Sequence, residues 1–157
     1  APAFPILCTV TALCVLTAIP ETVPMSQLNF NKWRIQMRKI MIVDDNYLSA
    51  EGIEKNIDWE VLNAEIVHIC YNGTSAIDAM KKEPVDLIIS DIEMPDLDGI
   101  SMSRQALDIN PMVKIILISA YDKFEYARRA LLLGALDYIE KPLDYAYLIQ
   151  KVKMLLP

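Results

Sequence analysis

The stretch "DLIISDIEMPDLDGI", Asp86 to Ile100, decides how this chain is read. Leu87, Ile88 and Ile89 form an apolar run without alternation, the pattern of a strand covered on both faces. The run ends in Ser90 and a carboxylate, Asp91, followed by a loop rich in acid. A carboxylate drawn out of water must be paired or hydrogen-bonded, because burying an unpaired charge is costly. A buried strand that ends in aspartate therefore points to a site.

Working outward, strand and helix patterns alternate from Met37 on. Ile40–Val43 is a short apolar run, followed by Asp44-Asp45-Asn46 and a helical stretch with Ala50, Ile53 and Ile57 on one face. Glu65–Cys70 is a second strand candidate, and Asn72-Gly73-Thr74 opens a helix carrying Ala76, Ile77, Ala79 and Met80. After Leu87–Ser90, Gly99 precedes a helix from Ile100 to Ile109, stopped by Asn110-Pro111. Lys114–Ile118 is the fourth run and ends at Ser119. Phe124 to Leu133 reads as a helix with Gly134 as its stop, and Ala135–Ile139 as a fifth strand. Asp144 caps a last helix with Leu148, Val152 and Leu155 on one face. Five strands alternating with helices predict an α/β fold, an open doubly wound parallel sheet.

Such sheets bind ligands at the carboxyl ends of their strands. Strand one ends in Asp44 and Asp45, strand three in Asp91 and strand four in Ser119, and Lys141 follows strand five. At an effective dielectric of about 20, two carboxylates about 5 Å apart repel by on the order of 3 kcal/mol. A cation must relieve that repulsion. Hard oxygen ligands without His or Cys favour Mg²⁺. Lys141 adds a second positive charge and Ser119 a hydrogen-bond donor. The set suits a phosphoryl group carried on a carboxylate.

The rest of the composition narrows the class. The chain has 157 residues, 54% hydrophobic, with a net charge of −6, which weighs against direct nucleic-acid binding by this segment. Its cysteines, Cys8, Cys14 and Cys70, form no metal-binding spacing, and a reducing, cytoplasmic setting is expected. Cys70 reads as a small buried hydrophobe and the single histidine, His68, as an ordinary strand residue. Residues 3–19 carry no charge but are marginal in length for a membrane span, and they lack the positive start of a secretory signal. No membrane association is expected. Residues 1–36 are expected to be a leader or appended segment outside a domain of residues 37–157.

Taken together, "IMIVDDN", "DLIISDIEMPDLDGI" and "IILISAYDKFEYARRALLLGALDYIEKP" resemble the receiver domain of bacterial two-component response regulators. The segment "IDWE" and the last of these runs look most like receivers joined to an AraC-type DNA-binding domain. The resemblance implies a flavodoxin-like receiver fold with Asp91 as phosphoacceptor, phosphorylated by a sensor histidine kinase in a Mg²⁺-dependent reaction. It implies that Asp45 ligates the metal directly and Asp44 through water, with Asp91 and the backbone carbonyl of Glu93 completing the shell. Ser119 and Lys141 would hold phosphoryl oxygens, Tyr138 matches the switch aromatic, and Lys141-Pro142 would be a cis peptide. The surface of the fourth helix, fifth strand and fifth helix would change on phosphorylation, form a homodimer and control an output, transcription in such regulators. Glu93 and Tyr121 would flank the approach of hydrolytic water. Such a domain takes part in phosphoryl transfer and slow self-dephosphorylation without being a turnover enzyme. The competing expectation is a Mg²⁺-dependent phosphohydrolase of the haloacid-dehalogenase type. That family wants an acid two residues after its nucleophile, where Asp44 is followed at that distance by Asn46.

Overall fold

The structure, a computed structural model, describes residues 37–120 and 137–156. Residues 1–36, Tyr121, the expected helix Phe124–Leu133 with Gly134, and the start of the expected fifth strand lie outside them. The described elements are β1 (Arg38–Val43), α1 (Tyr47–Asn56), β2 (Ala64–Cys70), α2 (Gly73–Lys82), β3 (Leu87–Asp91), α3 (Gly99–Ile109), β4 (Lys114–Ala120), β5 (Asp137–Lys141) and α4 (Tyr145–Leu155). The strands form one parallel sheet in the order β2-β1-β3-β4-β5. The expected doubly wound sheet is therefore found.

Each described helix starts on a short polar side chain that accepts from its first free amides. Asn46 accepts from the Leu48 N–H, Asn72 from Ser75, Asp98 from Ile100 and Ser101, and Asp144 from Ala146 and Tyr147. Each such cap is worth about 1 kcal/mol. Asn46 has a further consequence: by capping α1 itself, it leaves Asp44 and Asp45 free of that task. At the other end of α2, Lys81 and Lys82 lie where the helix dipole favours cations.

The sheet is covered on both faces, which is why its central strands read as unbroken apolar runs. Ala50 and Ile53 of α1 and Leu148 and Val152 of α4 pack on Ile42, Ile89, Ile118 and Ile139. Ala76, Ile77 and Met80 of α2 and Ile100, Met102 and Ala106 of α3 pack on Met41, Val43, Ile88 and Leu117. Each fully buried aliphatic side chain contributes about 1.5–3 kcal/mol. α1 follows β1 on one face and α3 follows β3 on the other. The chain thus leaves these two paired strands toward opposite faces, and a crevice opens at their carboxyl ends. Among the described residues no helix is long and apolar enough to cross a membrane.

The strands run further than their apolar cores. β3 includes Asp91, β4 includes Ser119 and Ala120, and β5 reaches Lys141. Backbone pairing explains the extension, since Asp91 is in register with Ile118 and Ala120 with Lys141. Asp91, Ser119 and Lys141 therefore sit on the ends of the sheet, while Asp44 and Asp45 directly follow β1.

Candidate phosphoacceptor and metal site

Strand alternation sorts the site residues by face. Asp44, Asp91 and Lys141 each stand two residues past an isoleucine of the α1/α4 side, namely Ile42, Ile89 and Ile139. The side chains meet there. Lys141 Nζ lies 2.6 Å from Asp91 Oδ2 and 3.4 Å from Asp44 Oδ2. Asp44, Asp45 and Asp91 each offer a carboxylate oxygen, and these oxygens lie within 4.8 Å of one another. Asp44 and Asp91 are buried, with 1% and 6% of their surface exposed, while Asp45 faces solvent.

Two of the carboxylates are also braced locally. Asp44 Oδ1 accepts the Asn46 N–H at 2.8 Å, and Asp91 Oδ1 accepts the Glu93 N–H at 3.2 Å. The Ser90 hydroxyl donates to the Asp91 carbonyl at 2.8 Å. Burial pushes the Asp44 carboxyl above its usual range. The Asn46 amide and the Lys141 charge pull it back, and the neighbouring Asp91 charge adds to the rise. Burial works against the Lys141 ammonium. Its hydrogen bond to Asp91 and the charges of Asp44 and Asp91 outweigh that, so its pKa is raised. The cluster holds three acids against one amine.

Ser119 and Tyr138 belong to the other face. Ser119 stands two residues past Leu117, and the Tyr138 ring packs on the α2/α3-side core. Both hydroxyls are buried and have no hydrogen-bond partner among the described residues. A buried unsatisfied hydroxyl costs about 1–3 kcal/mol.

The Lys141-Pro142 peptide is cis. His68 lies on β2 with Nε2 3.5 Å from Glu83 Oε2, away from the acid cluster. Cys70 is buried and free, and burial raises its thiol pKa. Glu93 is brought next to Asp91 through its own amide.

The sequence places two glycines at helix starts but does not show their close contacts. A Cβ on Gly99 would lie 2.2 Å from the Asp91 carbonyl oxygen, and one on Gly73 would lie 2.4 Å from that of Leu97. The only signal was position: each glycine directly follows a helix cap, Asp98 or Asn72.

Fold and geometry define a class: a doubly wound α/β domain with a carboxylate cluster, bridged by lysine, at its topological switch point. The response regulator receiver domain family matches residues 40–153, and the chain belongs to that family. The transcriptional regulatory protein HptR of Staphylococcus aureus is 32% identical over 114 residues, covering 71% of this chain and 44% of that protein. The transcriptional regulatory protein YesN of Bacillus subtilis is 29% identical over 117 residues, covering 74% of this chain and 32% of that protein. The chain thus spans less than half the length of these curated relatives. Among solved structures, the receiver domain of AraT, a response regulator from Geobacillus stearothermophilus, is 34% identical with a TM-score of 0.70. The match covers 75% of this chain and 94% of that one. A two-component transcriptional regulator AraC from Clostridium phytofermentans is 31% identical with a TM-score of 0.68, covering 76% and 91%. The phosphohydrolase expectation has no support. Asn46, which stands where that family wants an acid, is the cap of α1.

Proposed function

We propose that this receiver domain is switched by phosphorylation of Asp91, with a sensor histidine kinase as donor and Mg²⁺ as cofactor. One observation carries the reading: Asp91, at the end of a buried strand, is held 2.6 Å from Lys141 and within one cluster with Asp44 and Asp45. The donor set fits a hard divalent cation, being all oxygen and overcharged with acid. Asp44, Asp45, Asp91 and the Glu93 carbonyl would hold Mg²⁺, which when bound neutralises charge on the acids and on a phosphoryl group.

The chain's own residues do the rest. Asp91 Oδ attacks phosphorus while the bond to the donor nitrogen breaks, its electron pair returning to the imidazole. The Glu93 amide orients Asp91, and Lys141 turns from pairing the acids to pairing a phosphoryl oxygen. Ser119 donates its open hydroxyl to another phosphoryl oxygen. That draws in the end of β4, next to Tyr138, and biases the surface that includes β5 and α4. The output is control of transcription, supported by the similarity to the transcriptional regulatory protein HptR. Homodimer formation through that surface would couple the two.

The domain runs from residue 37, with 1–36 outside it, and acts in the cytoplasm. It takes up one phosphoryl group and loses it slowly rather than turning over substrate. Intact mass after acetyl phosphate with Mg²⁺ should show a single added phosphoryl group, abolished by EDTA. Continuous release of phosphate far beyond the protein concentration would contradict the reading.

A further inference from the structure

The loop between Asp91 and Gly99 carries Glu93 and determines how Asp91 is presented. It is pinned at both ends by hydrogen bonds, Glu93 N–H to Asp91 Oδ1 at 3.2 Å and Gly99 N–H to the Ile92 carbonyl at 2.9 Å. In between, Met94 is buried and Leu97 packs on the α2/α3-side core. Gly73, the first residue of α2, meets this loop from outside the site. A Cβ there would stand 2.4 Å from the Leu97 carbonyl oxygen and 2.9 Å from the Leu97 Cβ.

We propose that Gly73 is a positioning residue for the Asp91 site, acting through Leu97. The inference rests on the phosphoacceptor reading of Asp91. The contact involves a backbone oxygen, so no side-chain rotation relieves it. Separation to at least 3.0 Å requires the loop or the helix to move by about half an ångström or more. α2 is anchored by buried Ala76, Ile77 and Met80 and by the Asn72 cap. The loop is short and has no ladder of its own, so it yields. Its movement is passed to Glu93 and to the Gly99 amide, and from there to Asp91. Displacements of about 1 Å at a reacting group can cost on the order of 100-fold.

The test uses the full chain with Gly73→Ala. Hydrogen exchange by NMR in EDTA reads the loop with no metal present. The Glu93 and Gly99 amides should exchange about tenfold faster, while those of β4 keep their wild-type rates. A Mg²⁺ titration followed by the same amide signals should shift to about tenfold higher half-saturation. Phosphorylation by acetyl phosphate at saturating Mg²⁺ should also slow, by about tenfold or more, because Asp91 is displaced from its productive position. Wild-type exchange and titration in Gly73→Ala would overturn the proposal, as would uniform acceleration of every amide. Should Gly73→Ala fail to fold, Leu97→Gly decides. It loosens the loop at the same contact, and a wild-type loop and titration there would likewise overturn it. The metal-free exchange result stands apart from the Asp91 reading, which fails separately if Asp91→Asn is still phosphorylated.

Discussion

The two ends of the sheet carry the same kinds of charge under opposite conditions. Toward the amino ends, Lys39 Nζ pairs with Glu83 Oε1 at 2.6 Å, His68 lies beside the other oxygen, and Asp86 Oδ2 accepts the Lys39 amide at 2.8 Å. The Lys39 and Glu83 side chains are 35% and 41% exposed. At the carboxyl ends, the Asp44 and Asp91 side chains are 2% and 8% exposed, and Lys141 serves both. Exposed pairs contribute little and cost little. A buried surplus of acid costs stability, and it persists where function needs it. The contrast, rather than the mere presence of charge, marks the site.

The largest effect expected on the metal-free fold is from Lys141→Met. It keeps the apolar stem but leaves Asp44 and Asp91 buried without their cation. Stability in EDTA should fall by about 2–3 kcal/mol, read from urea denaturation midpoints. A midpoint unchanged from wild type would mean that the lysine is not what offsets the acids.

Asp44→Asn should move the same midpoint the other way. Two repulsions at up to 4.8 Å are relieved and one attraction at 3.4 Å is lost. The desolvation of a charge is removed as well, and the amide oxygen can still accept the Asn46 N–H. The net gain should be about 1–2 kcal/mol in EDTA, accompanied by weaker Mg²⁺ binding. Asp45→Asn should stabilise less, by under about 1 kcal/mol, because Asp45 is solvated. Equal gains from both would erase the role assigned to burial.

The smallest effect belongs to the other end. The hydrogen bond from Lys39 holds the Glu83 carboxyl below its usual 4.5. A lowered carboxylate pKa contributes stability that is present above 4.5 and lost as pH falls through the lowered value. Glu83→Gln should therefore flatten the acid limb of the stability profile and leave Mg²⁺-dependent phosphorylation as in wild type. A loss of phosphorylation would tie the two ends of the sheet together and break the comparison.

Much of this was legible in the sequence. Unbroken runs such as Leu87–Ile89 gave the buried parallel strands, and Asn72 and Asp144 marked helix starts. Acids at the ends of strands one and three foretold the carboxylate cluster, because parallel strands bring their carboxyl ends to one edge. Strand ends were harder to read. Asp91, Ala120 and Lys141 join the ladder through neighbours distant in sequence, which no local pattern encodes. The split of Ser119 and Tyr138 from the acids follows from alternation once those ends are fixed. The contacts at Gly73 and Gly99 depend on how close two backbones approach, so they were visible only in three dimensions.

The central claim is that the carboxylate delivered by the buried strand β3 is the one that carries the phosphoryl group. Borohydride reduction of the protein treated with acetyl phosphate and Mg²⁺ converts an aspartyl phosphate into homoserine, which peptide mass mapping locates. The account predicts homoserine at position 91 in the wild-type chain and none in Asp91→Asn. Homoserine at Asp44 or Asp45, or undiminished phosphorylation of Asp91→Asn, would contradict it.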